Sequence, residues 1–451
     1  MTETLLTEDI EEQNEATGIR AVLRHRDFSY LWSGQLVSNI GTAISSLALM
    51  FFAFDLTGSA MAMAILAMAQ TIPVVVFAGI VGVYVDQWNR KTIMIASDIV
   101  RAITILLIPL TVYFPSFLPT IYWVYLLTFV YATGNAWFFP ARSAAIPNLV
   151  KEKELVAANS LSQMTFQVVQ LVVPPIGGIL IALLAPDYFF AFAITASTFL
   201  FSAFALGRMQ TNLRPDRSLD DKESLMKQIA QGARYVIGNA ILSFLFVFAM
   251  LLAISSGILN ALLIPYLEGE LGLGPTQIGV LLSAGAASGA VTAVYFSRKK
   301  ELDKPLYLVS FAGFLAGIAT FALAFAFDFI TVVLSWVMIG AVDVILEIPL
   351  SVLMQELVED KLRGRVFALL NVAFTAVQVI GMGLGGVWAE SAGSTGPAFI
   401  GAAFGLVIVS LIGFLVVSVL NLHSRLEQTV ESQTEQTEES PTEEVAIQVH
   451  A

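Results

Sequence analysis

The stretch Gln163-Met-Thr-Phe-Gln-Val-Val-Gln-Leu-Val-Val-Pro-Pro-Ile-Gly-Gly178 returns in weakened form later in the same chain as Asn371-Val-Ala-Phe-Thr-Ala-Val-Gln-Val-Ile-Gly-Met-Gly-Leu-Gly-Gly386. One offset of 208 (371 minus 163) superimposes them. It pairs identical residues at Phe166 and Phe374, Val169 and Val377, Gln170 and Gln378, Gly177 and Gly385, and Gly178 and Gly386. Each copy is an apolar run with one polar stripe, Gln163, Gln167 and Gln170 in the first and Asn371, Thr375 and Gln378 in the second. Both stripes have the i, i+4, i+7 spacing of a single helical face. A repeat in the same orientation predicts a chain built from two related halves, as membrane carriers commonly are.

The rest of the chain has the composition such halves need. Of its 451 residues, 57% are hydrophobic and 13% charged, and its mean hydropathy is +0.79, well beyond that of ordinary soluble domains. Apolar runs of about 20 residues recur, long enough to cross the roughly 30 Å hydrocarbon layer as helices. Cysteine is absent, which removes disulfides, thiolate metal sites and cysteine nucleophiles together. Much of the net charge of −12 lies between Glu3 and Glu15 and between Glu427 and Glu444. These Glu-, Gln- and Thr-rich ends are expected to be disordered. The opening residues are acidic and polar, so no cleavable signal peptide is expected and the first apolar run acts as the insertion signal.

The apolar runs fall at 29–55, 61–85, 92–112, 120–142, 157–185, 188–207, 239–266, 277–297, 305–326, 330–354, 364–389 and 396–420. They predict an all-α integral membrane protein with twelve transmembrane helices in two pseudo-symmetric six-helix bundles. The expected organisation is an acidic N-terminus and interfacial segment over 1–28, a first bundle over 29–207 and a central linker with an interfacial helix over 208–238. A second bundle over 239–420 and an acidic tail over 421–451 complete it. Loops rich in Lys and Arg stay in the cytoplasm. Arg20, Arg24 and Arg26 precede helix 1, Arg90 and Lys91 follow helix 2, and Arg142, Lys151 and Lys153 follow helix 4. Arg214, Arg217, Lys222, Lys227 and Arg234 lie in the linker; Arg298 to Lys304, Lys361 to Arg365 and Arg425 continue the series. The alternate loops hold no Lys or Arg, which assigns both termini and the linker to the cytoplasmic side of the plasma membrane. Of 23 basic residues, only Arg101 falls in the interior of a span, Arg142 and Arg365 standing at span edges.

Polar groups inside spans carry the information about function, because a charge at mid-helix costs roughly 2.5–3.5 kcal/mol on insertion scales. Asp343 and Glu347 stand one turn apart on helix 10 and share a face. Two carboxylates so close in low dielectric resist ionising together, which suits proton carriage; the alternative is bonding to polar neighbours or incidental cation binding. The stripes of helices 5 and 11 either face a shared cavity or hydrogen-bond between helices. Gln35 and Asn39 on helix 1, Asn135 on helix 4 and Asn260 on helix 7 are similarly placed. Pro174, Pro175, Gly177 and Gly178 predict a bend or close packing in helix 5. Asp98 and Arg101, three residues apart, are expected to pair as a structural feature.

The segment Gly82-Val-Tyr-Val-Asp86-Gln-Trp-Asn-Arg90-Lys91 resembles the Gly-x-x-x-Asp-Arg-x-x-Arg-Lys signature of the major facilitator superfamily, departing from it at Gln87. The helix 5 Pro-Pro-x-Gly-Gly run resembles the antiporter motif of drug-efflux members, with Pro174-Pro175 where Gly-Pro is common. Phe139-Pro140-Ala141-Arg142, Ile146-Pro147, Ala158-Asn159-Ser160-Leu161 and Gly364-Arg365-Val366-Phe367 resemble the macrolide-efflux branch, which is related to siderophore exporters. The resemblance implies that helices 1, 4, 7 and 10 line a central cavity, beside Asp343, Glu347, Asn135, Asn39 and Gln35. It also implies a cytoplasmic gate of Gly82, Asp86, Arg90 and Lys91, with Asp86 near the start of helix 11 around Gly364 and Arg142 as its basic partner. The corresponding loop Ser297-Arg298-Lys299-Lys300 lacks the acid, so one half alone is expected to hold the full gate.

These readings lead to a secondary active exporter of a moderately hydrophobic organic compound, macrolide-like drug or secondary metabolite. It works by alternating access and is driven by protons moving inward through Asp343 and Glu347. Export of a siderophore or lipid-like molecule, and proton-coupled uptake, stay open as alternatives. The expected partners are a small-molecule substrate, protons and the lipid bilayer, with no nucleic acid, no metal and no cofactor, and a monomer is expected. The chain lacks a Gly-x-x-x-x-Gly-Lys-Ser/Thr loop, which argues against ATP drive. An intramembrane enzyme is not expected, since His25, His423 and His450 all lie outside the spans.

Overall fold

The computed structural model describes residues 18–113, 118–185, 187–214, 225–299, 302–424, 426 and 428. The acidic ends expected to be disordered, together with Arg217, Lys222, Lys300 and Arg425, lie outside the described residues. Twelve long helices follow one another: α1 (Arg26–Thr57), α2 (Ala60–Val85), α3 (Arg90–Leu110), α4 (Thr120–Ala145), α5 (Leu155–Leu184), α6 (Phe189–Gly207), α7 (Ala240–Ile264), α8 (Pro275–Ser297), α9 (Pro305–Ala324), α10 (Phe329–Leu357), α11 (Asp360–Ala392) and α12 (Gly396–Val419). Eleven are long and apolar enough to cross a bilayer. The other, α4, has the length, but its Tyr, Trp, Thr and Gly residues with Asn135 and Arg142 lower its hydropathy; it packs between α2 and α3.

Local chemistry sets the helix ends. Asn89 Oδ1 accepts the Lys91 N–H at the start of α3, and Asn239 Oδ1 accepts those of Ile241 and Leu242 at the start of α7. Asp328 accepts the Thr331 N–H at 2.7 Å to cap α10, and that bond holds its carboxyl below the usual carboxylate range. Proline occupies the first turn of α8, α9 and α12, where its missing N–H costs nothing. Gly58 and Gly393 end α1 and α11 with φ of 57° and 69°, a left-handed cap that suits glycine.

The packing order repeats. In the first half, neighbours run α5–α1–α6–α3–α4–α2; in the second they run α11–α7–α12–α9–α10–α8. Adding six to each label of the first series, with twelve as the period, generates the second. The halves meet where α5 packs on α8 and α2 on α11, and these two contacts are also exchanged by that shift.

The loops carrying Lys and Arg all lie at one end of the bundle, here called the basic end; the other is the acidic end. At the acidic end one hydrophobic core crosses both halves, taking Phe52, Phe192 and Phe199 from the first and Tyr266 and Phe399 from the second. At the basic end there are two separate cores, one around Phe28, Met94 and Phe138, the other around Phe248, Leu306 and Met354. A Cβ on Gly178 would stand 2.3 Å from the Pro275 carbonyl, and one on Gly279 would stand 2.3 Å from the Pro174 carbonyl. Lipid supplies no hydrophobic force between helices, so small residues that admit close backbone contact hold them together. At the basic end, by contrast, a Cβ on Gly82 or Gly364 would meet no neighbouring heavy atom within 4 Å. The cleft between the halves is therefore sealed at the acidic end and parted at the basic end.

The cysteine-free chain allows a direct check. Ser59 Oγ lies 3.5 Å from Glu390 Oε2 across the halves. Ser59→Cys combined with Glu390→Cys should cross-link readily under mild oxidation, whereas Gly82→Cys with Gly364→Cys should stay unlinked in ligand-free protein. Gel mobility after cleavage within the linker reads both. An efficient Gly82–Gly364 link would mean that the basic end rests closed.

Candidate functional site

A cavity of about 450 Å³ opens in the first half, lined by Ser38, Asn39 and Thr42 of α1, Arg101 of α3, Asn135 and Arg142 of α4, and the rings of Phe138, Phe139 and Phe166. Its size falls within the roughly 300–1,000 Å³ range of small-molecule sites. Arg101 is fixed beneath it. The guanidinium bonds the buried Asp98, donates to Asn135 Oδ1 at 2.8 Å, and lies 4.7 and 4.4 Å from the ring centroids of Phe138 and Phe199. Gly134 makes room for it, since a Cβ there would come 2.7 Å from Arg101 Cγ. The expected Asp98–Arg101 pair thus forms, and it also supports a residue of the cavity wall.

Arg142 corrects an expectation. α4 continues to Ala145, so Arg142 lies within the helix and not in a loop beyond it. Its guanidinium carbon stands 4.6 Å from the Phe139 ring centroid, in the cavity wall. Its Nε is buried and has no hydrogen-bond partner among the described residues, as is true of Gln35 Nε2 and Asn39 Nδ2.

The second half contributes carboxylates. Asp343 and Glu347 on α10 are both exposed, and neither makes a hydrogen bond or ion pair among the described residues. At about 100° per residue, Asp343 lies on the opposite side of α10 from Leu334, which is 64% exposed and marks the outward face. Asn260 stands in the same relation to exposed Leu251 on α7. The wheel therefore turns both away from those outward residues, to the interior side of their helices. Gln163, Gln167 and Gln170 are exposed on α5, as is Asn371 on α11. Gln378 does otherwise: its Nε2 donates to Ser256 Oγ of α7 at 3.1 Å, a bond between helices.

The motif loop after α2 is tied to its own half. Lys91 Nζ donates to the Gly207 and Met209 carbonyls at 3.0 and 2.7 Å, where its charge also complements the C-terminal dipole of α6. Arg90 Nη1 donates to Asn148 Oδ1 at 2.7 Å. The Asp86 N–H reaches the Gly82 carbonyl at 3.2 Å and ends α2. Pro174 and Pro175 lie inside an unbroken α5, and with Gly178 they form the close contact with α8.

One group escaped sequence reasoning. At the acidic end the Tyr188 hydroxyl donates to Asp55 of α1, and Glu268, following α7, has a buried carboxylate oxygen with no hydrogen-bond partner among the described residues. Burial first, then the Asp55 bond and the charges of Asp55 and Glu268, push the Tyr188 phenol up from its ordinary value, so it stays a donor. These residues sit at helix ends far apart in the chain, and no periodicity marks them.

The buried pair yields a test. Breaking such a pair by removing one member typically costs about 3–5 kcal/mol, because the other charge is left unpaired. Asp98→Ala should therefore lower the thermal unfolding midpoint in detergent sharply, and Asp98→Ala with Arg101→Met should recover most of the loss. A single variant as stable as wild type would show that Arg101 does not depend on Asp98.

Comparison with known proteins agrees with this geometry. Residues 17–450 match the family described as transmembrane secretion effector. Macrolide efflux protein A of Streptococcus pyogenes is 25% identical, with 81% of this chain and 90% of that protein covered. The multidrug efflux pump Tap of Mycolicibacterium fortuitum is 27% identical, with 79% and 88% covered. Among solved structures, a bacterial homologue of the iron transporter ferroportin in an inward-facing state superimposes with a TM-score of 0.68 at 18% identity, covering 86% of this chain and 98% of that one. With the paired six-helix packing, the repeat and a match along nearly its whole length, the chain belongs to the transmembrane secretion effector family of major facilitator transporters.

Proposed function

We propose that the protein exports a moderately hydrophobic organic compound from the cytoplasm by alternating access, with protons moving the other way through Asp343 and Glu347. The observation that carries this reading is the pair itself: two accessible carboxylates, one turn apart, without partners among the described residues, on the inward side of α10. They stand one turn apart, and in a cleft walled by protein and lipid such a pair readily holds one proton between two sites. The basic end is the cytoplasmic end under the topology rule, so both termini and the linker face the cytoplasm and the parted cleft opens inward. The efflux relatives support an outward direction and an organic substrate.

A cycle follows from these assignments. Substrate enters the parted basic end while the carboxylates give up their proton, the halves close around it on the α2–α11 and α5–α8 contacts, and the acidic end opens. Protonation from outside then neutralises the pair and lets the cleft return.

Inside-out vesicles carrying the protein and a pH-sensitive dye test this. Macrolides, dyes and siderophores are added one at a time; an exported compound should release protons from wild-type vesicles, and Asp343→Asn and Glu347→Gln should each abolish the release while inserting normally. Release that survives both substitutions would make the pair structural.

A further inference from the structure

We propose that the first-half cavity binds an organic anion, with Arg142 as the residue that selects a carboxylate or comparable oxyanion. The proposal deepens the exporter reading, on which its link to transport rests. The guanidinium of Arg142 is half-buried with its Nε shut off from solvent, which is costly unless a partner is supplied, and the structure supplies one only in part. The Phe139 face, 4.6 Å away, supplies a cation–π contact. No carboxylate appears among the residues lining the cavity. Asp98, buried beneath the cavity wall, is engaged by Arg101.

Among the residues lining the cavity, each side-chain atom left buried and unmet is a donor. Arg142 Nε and Asn39 Nδ2, both of lining residues, and Gln35 Nε2 one turn from Asn39, are buried without hydrogen-bond partners among the described residues. Native proteins leave few such groups unsatisfied, and a set of the same polarity facing one space points to a ligand of opposite polarity. An oxyanion satisfies them: a guanidinium fork takes a carboxylate through two parallel bonds, and an amide N–H takes a further oxygen. The aromatic rings accommodate a flat or apolar body behind that head group.

The charge of the cleft is divided. Guanidinium and amide donors belong to the first half, whereas Asp343 and Glu347 stand on α10 of the second. A ligand with one anionic end is thereby oriented, its acid turned toward Arg142 and away from the two carboxylates.

Binding to wild-type protein in nanodiscs, followed by tryptophan fluorescence near neutral pH, decides the matter without relying on transport. The probes are naphthalene-2-acetate and naphthalene-2-acetamide, which share a shape and differ in charge. Wild type should bind the acetate at least about tenfold more tightly than the amide, the ratio expected from one charge-assisted contact. Arg142→Gln should bring the two within about twofold by loosening the acetate alone, and Arg142→Lys should keep part of the preference because the charge remains. If the Gln variant binds neither probe, the wild-type ratio and the Lys variant decide. Equal affinities in wild type, or a full preference surviving in Arg142→Gln, would overturn the proposal. Vesicles that show no proton-linked flux would refute the exporter reading and leave this binding result standing by itself.

Discussion

Everything in this molecule turns on the backbone contact between α5 and α8, where Gly178 lies against the Pro275 carbonyl and Gly279 against that of Pro174. In lipid, helices gain nothing by hiding apolar surface from one another, so the halves are held by whatever lets them come close. Here that is a reciprocal glycine contact, reinforced by Ser283 Oγ donating to the Leu171 carbonyl at 2.6 Å. A contact made of small residues is tight but short in reach. It holds the acidic end shut while the basic end stays parted, and few side chains take part in it.

The two walls of the cleft owe their character to different halves. The first half spends its buried polarity on cations and donors, with Arg101 locked by Asp98 and Asn135 and Arg142 left largely unmet. The second offers accessible acids on α10. Because the halves descend from one pattern, as the shared packing order indicates, this division is a departure from their symmetry. A ligand between them meets two chemically distinct surfaces within one enclosure.

Much of this could be read from the chain. The 208-residue offset marks α5 and α11, whose neighbours in space are indeed equivalent, and the apolar runs match the helices to within a few residues. The cost of Asp343 and Glu347 in lipid predicts that they turn away from it. Arg142 was not readable. A helix ending at 142 leaves it in a loop beside Asp86, while one ending at Ala145 turns it into the cavity; Pro140 and the polar residues around it obscure where the helix stops. The bond of Tyr188 to Asp55 spans 133 residues with no local pattern to announce it. Gln378, equivalent to Gln170 in sequence, is occupied by Ser256, since what a polar stripe meets is decided by the neighbouring helix and not by its own spacing.

The acidic end carries Asp55, Asp187, Glu268, Glu270, Asp328 and Glu390 and no Lys or Arg. Fixed charges of one sign, acting together over a screening distance of about 8 Å at physiological ionic strength, draw cations, protons among them, and repel anions. Protons and other cations are concentrated beside this rim, and anions near it are repelled.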